Sequence, residues 1–271
     1  MNYQQQQQTF TPFQMQSCGN VGAAAAAPKI TFLTRDSTQE FVLQDEDMYV
    51  SKLTPQDVRA RRCASNDEYK AVAIRACSEF SPAQKKVLTE ASCQADVRLA
   101  RATTFDAIID LRVLADMPWK FACVTGTAYE NGWPHTRSDV IFLSKAFFQH
   151  YSPALGPLTS AFRDIVETLI HEKVHVFQRA YPELMRVYNM SHGFERIAPK
   201  AAYDRLDIRS NPDLDGFVYS KHKRPCFVRY RSSHPSGMDD TEDVGPTEHP
   251  NEEMAYRLAA AVVGKQLKMK V

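Results

Sequence analysis

The sequence predicts an α+β fold in which a helical N-terminal part leads into a small, mostly antiparallel sheet packed on one long helix. Three observations predict it. Helix-start signals punctuate the first third of the folded chain, at Thr54-Pro55, Ser65 and Ser81-Pro82. After Pro118 the apolar pattern changes from helical spacing to alternation. Further on, Ser160 to about Arg179 has the periodicity of an amphipathic helix and contains His171-Glu172-Lys173-Val174-His175.

Taken in order, residues 1–28 hold homopolymer runs, Gln4 to Gln8 and Ala23 to Ala27, without apolar periodicity, and read as a disordered low-complexity tail. Residues 29–116 form the helical N-terminal region, opening with a first strand over Ile30 to Leu33. Pro55 and Pro82 suit the first turn of a helix, where the missing N–H has no partner to lose, and Ser65 with Glu68 makes a capping box. The helix from Ser81 should reach about Ala102, and Phe105, Ile108, Ile109, Leu111 and Leu114 favour another over Thr103 to Leu114.

Residues 117–271 form a second region, which carries the pentad. Trp119 to Val124 and Asp139 to Leu143 read as strands joined through Glu130-Asn131-Gly132, and a sheet thus precedes the long helix. Phe217 to Ser220 and Cys226 to Tyr230 form a hairpin around Lys221 to Pro225. A loop rich in Gly, Ser and Asp follows to about Glu248, long enough to act as a lid or specificity element. Pro250 opens a last helix, which Gly264 ends after Val263.

Within the long helix, His171 and His175 lie one turn apart and share a direction with Asp164, Thr168 and Gln178, opposite Phe162, Ile165, Val166, Leu169 and Val176. Both imidazoles can therefore reach one Zn²⁺, with Glu172 beside them as a general base. Histidines satisfied in a core would fall within the apolar stripe instead. Lys173 does point into that stripe and is expected to snorkel. A catalytic zinc takes three protein ligands and keeps the fourth position for water. The third cannot follow the metzincin spacing, because positions 178 and 181 hold Gln178 and Tyr181. The remaining candidate segment is His249-Pro250-Asn251-Glu252-Glu253-Met254-Ala255-Tyr256, whose helix carries Ala255, Ala259 and Ala260 for close approach to a neighbour.

In the HExxH pentad and this Glu-x-x-Ala helix the chain resembles the gluzincin branch of the zincin metallopeptidases. The resemblance implies a zincin-like fold, Glu252 as third zinc ligand with Glu253 as the close alternative, and hydrolysis of a peptide or protein substrate as endopeptidase or processing protease. It also implies an edge strand that aligns an extended substrate, for which Gly126 to Tyr129 and Trp133 to Thr136 are candidates. A further donor should stabilise the oxyanion, from among Tyr256, Tyr219, His192, His234 and His249. The chain departs from the thermolysin-like pattern at Tyr256, where an Asp would orient a zinc-bound histidine. A looser likeness, to uncharacterised metallopeptidase-like proteins of large DNA viruses, rests on Trp133-Pro134-His135-Thr136, Asn211-Pro212-Asp213-Leu214-Asp215 and His249-Pro250-Asn251-Glu252. The alternative to an enzyme is a catalytically inactive zincin-like binding or structural protein, against which the intact Glu172 argues.

Composition bounds the partners. A net charge of +1, from 33 basic and 32 acidic residues, supplies no field for nucleic acid or anionic membrane. No apolar run is long enough for a transmembrane helix and no signal peptide opens the chain, so an intracellular location is expected, cytoplasmic or nuclear, with virion association if the chain is viral. Cys18, Cys63, Cys77, Cys93, Cys123 and Cys226 lack metal or disulfide spacing and read as reduced thiols, with Cys226 a strand residue before it is a ligand. His135 reads as an exposed loop histidine before a site residue. Oligomeric state is not encoded in any of these features.

Overall fold

The computed structural model describes residues 29–149 and 159–265, so the tail over 1–28 and Cys18 lie outside the described residues. The expected first strand is β1 (Ile30–Phe32). It leads into α1 (Arg35–Gln44), a helix unmarked by the sequence reading, whose cap Thr34 accepts from the Ser37 amide. At α2 (Pro55–Ala60) the Thr54 hydroxyl accepts from the Asp57 amide while the Asp57 carboxylate accepts from the Thr54 amide, a complete capping box. α3 (Asn66–Ala76) forms only half of one: Ser65 accepts from the Glu68 amide, but the Glu68 carboxylate takes the Ala64 amide instead. After β2 (Cys77–Ser78), α4 (Pro82–Ala102) opens on a full Ser81–Gln84 box.

The helix expected over Thr103 to Leu114 does not form. Thr103, Asp106 and Ala107 adopt positive φ, which breaks helical continuation. β3 (Thr104–Phe105) and β4 (Ile109–Asp110) pair as a small hairpin, and only α5 (Leu111–Asp116) is helical. Phe105, Ile109, Leu111 and Leu114 still reach the core, but from a hairpin and one short helix. Short apolar runs do not separate these outcomes by periodicity alone.

β5 (Trp119–Val124) is the centre of a sheet completed by β6 (His135–Arg137) and β7 (Val140–Ser144), in the order β1-β5-β7-β6 with β2 paired to the end of β5. β1 and β7 run parallel to β5, whereas β2 and β6 pair antiparallel. The sheet is therefore mixed, which corrects the expectation of a mostly antiparallel one. β7 is buried along its whole length and β5 almost so, the condition under which parallel strands occur. One face meets the cluster of Val42, Tyr69 and Ala73, the other that of α4 and the long helix.

That long helix is α6 (Ser160–Ala180), capped by Thr159 and followed directly by α7 (Pro182–Ser191), which the sequence reading left unmarked. A four-stranded antiparallel sheet comes next, from β8 (Phe194–Pro199), β9 (Phe217–Lys221), β10 (Arg224–Tyr230) and β11 (Thr241–Val244), in the order β11-β10-β9-β8. The predicted hairpin is β9–β10, turning on His222 and Lys223 at positive φ. β11 lies inside the stretch expected to be a loop. Last, α8 (Pro250–Val263) starts at its proline and ends at Gly264, φ +75.

α6 occupies the middle of the main core. α4, α8 and the mixed sheet all contribute to that core, and Ala255 and Ala259 let α8 lie close against α6. Because β1 pairs with β5 and α4 packs on α6, residues on both sides of position 117 share one core. Among the described residues no helix is long and apolar enough to cross a membrane.

Lys173 does not snorkel. It is 1% exposed, and its Nζ donates to Asp96 Oδ1 at 2.7 Å and to the Ala115 carbonyl at 3.0 Å, 4.2 Å from the centre of the Trp119 ring. Trp119 Nε1 donates to the other Asp96 oxygen. Burial pushes the lysine down and the aspartate up, and their pairing opposes both shifts. The pair thus joins α6 to α4 and β5 from within the pentad itself. Removing one member strands a buried charge, so Asp96→Ala should lose about 3–5 kcal/mol of unfolding free energy in urea titration. The double change Asp96→Ala with Lys173→Met should be the milder of the two; a larger loss in the double variant would contradict this assignment.

Candidate metal centre

Two helices bring the predicted ligands together. His171 and His175 project from α6, and Glu252 stands in the first turn of α8 facing them. The start of α8 is fixed by His249, whose Nδ1 accepts from the Asn251 amide and whose Nε2 contacts Asp215 Oδ1 at 3.1 Å. The His171 and His175 Nε2 atoms are 3.1 Å apart, and the Glu252 carboxylate approaches them at 3.4 and 3.6 Å. Donor atoms around a tetrahedral zinc stand roughly 3.4 Å from one another. Among the described residues this is the one group of three or more His, Cys, Asp or Glu side chains able to hold a metal ion together.

The electrostatics of the three groups suit a cation. Despite burial, which works the other way, the imidazoles hold Glu252 down at about 2. Burial pushes His175 down to about 4, whereas His171 is raised against its own burial by the Glu252 carboxylate. The carboxylate therefore draws a positive charge into the triad. Glu253, the alternative ligand, points away and forms an ion pair with Lys221 of β9.

Two of the three candidate ligands have a hydrogen-bond partner that orients them. His175 Nδ1 lies 2.9 Å from Gln178 Oε1, which can only accept, so Nδ1 carries the proton and Nε2 presents its lone pair to the centre. Gln178 Nε2 in turn donates to the Asn251 carbonyl at the start of α8. Asn211 Nδ2 donates to Glu252 Oε1 at 2.9 Å. Tyr256, standing where an aspartate was looked for, orients no ring nitrogen; it packs on the face of His171 with centroids 4.5 Å apart. Sequence reading placed Gln178 on the polar face of the helix and used it to exclude a glycine, and it quoted Asn211 only as part of a block. Neither role has a signal in spacing.

Glu172 is placed otherwise. Its Oε2 accepts from the Thr136 hydroxyl at 2.6 Å, it is 4% exposed, and burial raises its carboxyl above the ordinary range. The pentad lies on a cavity of about 640 Å³ that His171, Glu172, His175 and Glu252 all line, with Trp133 and Tyr256 exposed at it. Asp213 lines it too; burial, reinforced by Glu172, pushes its carboxyl up to about 8.

The other candidates distribute differently. Of the five oxyanion candidates only Tyr256 lines this cavity. Tyr219 donates to Asp215, His192 sits on Asp106, His234 is in an exposed turn beside Ser233, and His249 caps α8. His135 is a buried residue of β6, not an exposed loop histidine, held between the Trp133 carbonyl and the Tyr129 hydroxyl. Cys226 is a strand residue packed with Phe194 and Tyr219, and Cys63, Cys77, Cys93, Cys123 and Cys226 are all free thiols. β6 is the edge strand, but the outward N–H and C=O of Thr136 are engaged by the Asp213 carboxylate and the Arg179 guanidinium. Gly126 to Tyr129 forms no strand. The expectation of an open substrate-aligning edge at either place is thereby corrected.

Titration of the metal-free chain with zinc separates the assignments. Glu252→Ala should abolish tight binding, Glu253→Ala should leave it intact, and Gln178→Leu should weaken it by about 10–100-fold. Retention in Glu252→Ala would remove that residue from the ligand set. No family model, no curated protein and no solved structure matches this chain, so its own geometry carries the reading of the site.

Proposed function

We propose that the chain is a zinc-dependent peptidase with a gluzincin-like, zincin-type arrangement of its catalytic region. The observation that carries the proposal is the division of labour on α6 and α8. Three donors, His171, His175 and Glu252, converge on one point, while the intervening Glu172 is held out of the triad by Thr136 on the same open cavity. A purely structural site has no use for such a base and closes its fourth position with protein.

His171 and His175 would hold Zn²⁺ through Nε2 and Glu252 through its carboxylate. The bound ion would lower the pKa of water to about 7 and polarise a substrate carbonyl. Glu172 then accepts the proton of the attacking water and returns it to the leaving amine, and its raised carboxyl pKa suits it to both steps. The Thr136 hydroxyl occupies Oε2 of Glu172, which leaves Oε1 for the proton. Tyr256 is the donor available to the developing oxyanion, an exposed phenol at the cavity that is protonated at neutral pH. A peptide or protein is the substrate that this chemistry fits. The closed edge of β6 favours one second reading, a zincin-like protein that binds peptide without turnover.

Hydrolysis of a denatured protein mixture by the zinc-loaded full chain distinguishes them. Glu172→Gln should keep its zinc and lose about 100-fold or more in kcat/KM. Tyr256→Phe should lose about 100-fold in kcat with little change in KM. A zinc-loaded wild type without activity, or a Glu172→Gln variant as active as wild type, would sink the peptidase reading.

A further inference from the structure

The turn that leads into β6 is strained. Glu130, Asn131 and Gly132 all adopt positive φ, at +47, +51 and +73, a left-handed conformation that only glycine enters freely. A side chain at position 132 would bring its Cβ within 2.9 Å of the Gly126 carbonyl oxygen, so this position requires glycine. The buried Arg61 guanidinium holds Glu130 through two hydrogen bonds of 2.7 and 2.8 Å, and the Tyr69 hydroxyl donates to the same carboxylate. Strain of this kind persists where the surroundings impose it, and it gathers at catalytic and ligand-binding sites.

What the turn presents is Trp133. Its amide donates to the Glu130 carbonyl, its own carbonyl lies 3.1 Å from His135 Nδ1, and Pro134 follows it, so the backbone is fixed on both sides. The ring is nevertheless 41% exposed and lines the cavity of the metal centre. Pro134 and Phe147 line the cavity with it, and the turn Lys145–Phe148 that carries Phe147 packs on the Glu130–Gly132 turn. Thr136, three residues beyond Trp133, donates to the Glu172 carboxylate. Three residues of extended chain span about 10 Å, which sets this apolar surface on the Glu172 side of the centre. Tyr256 covers His171 on the α8 side.

Outside the metal centre the charges of the cavity wall are matched among the described residues. Arg61 is bound by Glu130, Arg209 by Glu248 and Glu167 by Lys265. Asp213 gives Oδ2 to the Thr136 amide, and its Oδ1 is enclosed. A charged side chain therefore finds no free partner beside Trp133, whereas a bulky apolar one finds a rigid aromatic surface.

We propose that Trp133, with Pro134 and Phe147, binds a bulky apolar side chain of the substrate peptide and is the specificity-determining residue on the Glu172 side of the cavity. The effect of this preference on cleavage rests on the peptidase reading, whereas binding is measured without turnover.

The test titrates the zinc-loaded, full-length Glu172→Gln chain with capped peptides acetyl-Gly-Gly-X-Gly-Gly-amide, X being phenylalanine, leucine, alanine, glutamate or lysine. The other tryptophan, Trp119, is 1% exposed, so a change in tryptophan emission reports Trp133. The phenylalanine peptide should shift the emission and bind about ten-fold more tightly than the alanine peptide, with glutamate and lysine no tighter than alanine. By calorimetry, Trp133→Ala should reduce the phenylalanine peptide to the affinity of the alanine peptide, and Trp133→Phe should keep the preference. Equal affinities across the series, a charged peptide as tight as phenylalanine, no binding, or a preference that survives Trp133→Ala would each overturn the proposal. Binding of the phenylalanine peptide without any change in emission overturns it with no variant needed. A zinc-loaded wild type that shows the preference and cleaves none of the peptides or a denatured protein mixture would defeat the peptidase reading alone.

Discussion

The close packing of α8 on α6 is the constraint on which the site depends. Two histidines on one helix fix a direction, but a third donor at the right distance requires a second helix set within a fraction of an ångström. Ala255 and Ala259 remove the side-chain bulk that would hold the helices apart, and both are fully buried. Gln178 then ties the two together, accepting from His175 Nδ1 and donating to the Asn251 carbonyl. A single side chain thereby sets the tautomer of one ligand and the position of the turn that carries another.

The back of α6 is anchored by charge as well as by apolar contact. Lys173 sits between Glu172 and His175, and its amine is buried on Asp96, the Ala115 carbonyl and the Trp119 ring. A buried ion pair adds little net stability over an apolar pair of the same volume. What it does add is a defined rotation of the helix, because a one-residue shift would leave the ammonium without its partner. Rotation is what decides whether His171 and His175 face α8 or the sheet. Similar arrangements hold the cavity wall: Arg61 pairs with Glu130 beside Tyr69, and Arg137 with Asp45 and Asp47 under the Tyr49 and Phe41 rings.

Legibility in the sequence followed the range of the interaction. Capping at Thr54 and Ser81, the proline starts of α2, α4 and α8, and the β9–β10 hairpin are decided within four or five residues, and they were readable as such. The Thr103 to Leu114 stretch was not, because its apolar spacing fits a helix while three positive φ values impose a hairpin. The parallel pairing of β1, β5 and β7 was misjudged for a different reason. Phe121-Ala122-Cys123-Val124 and Val140-Ile141-Phe142-Leu143 are continuous apolar runs, the mark of strands covered on both faces, where the sequence reading took alternation. His171, Glu172 and His175 were legible from one turn of helix; Glu252 needed a resemblance to pick it out, and Thr136, Gln178 and Asn211 needed the fold.

The segment Asn211-Pro212-Asp213-Leu214-Asp215 shows why. Its polar residues recur at every second position, and each reaches a different element: Asn211 the Glu252 carboxylate, Asp213 the Thr136 amide of β6, Asp215 the His249 cap of α8. One short stretch therefore positions the Glu252 carboxylate, closes the sheet edge and fixes the helix start that carries the same residue. None of these contacts is local, since the partners lie 34 to 77 residues away in sequence. The alternation alone looks like a polar surface loop. Because α6, α8 and β6 meet there, a loop that joins all three couples the geometry of Glu172, through Thr136, to the geometry of Glu252. Glu172 and Glu252 are thus held by one piece of chain, and a change in that piece moves both.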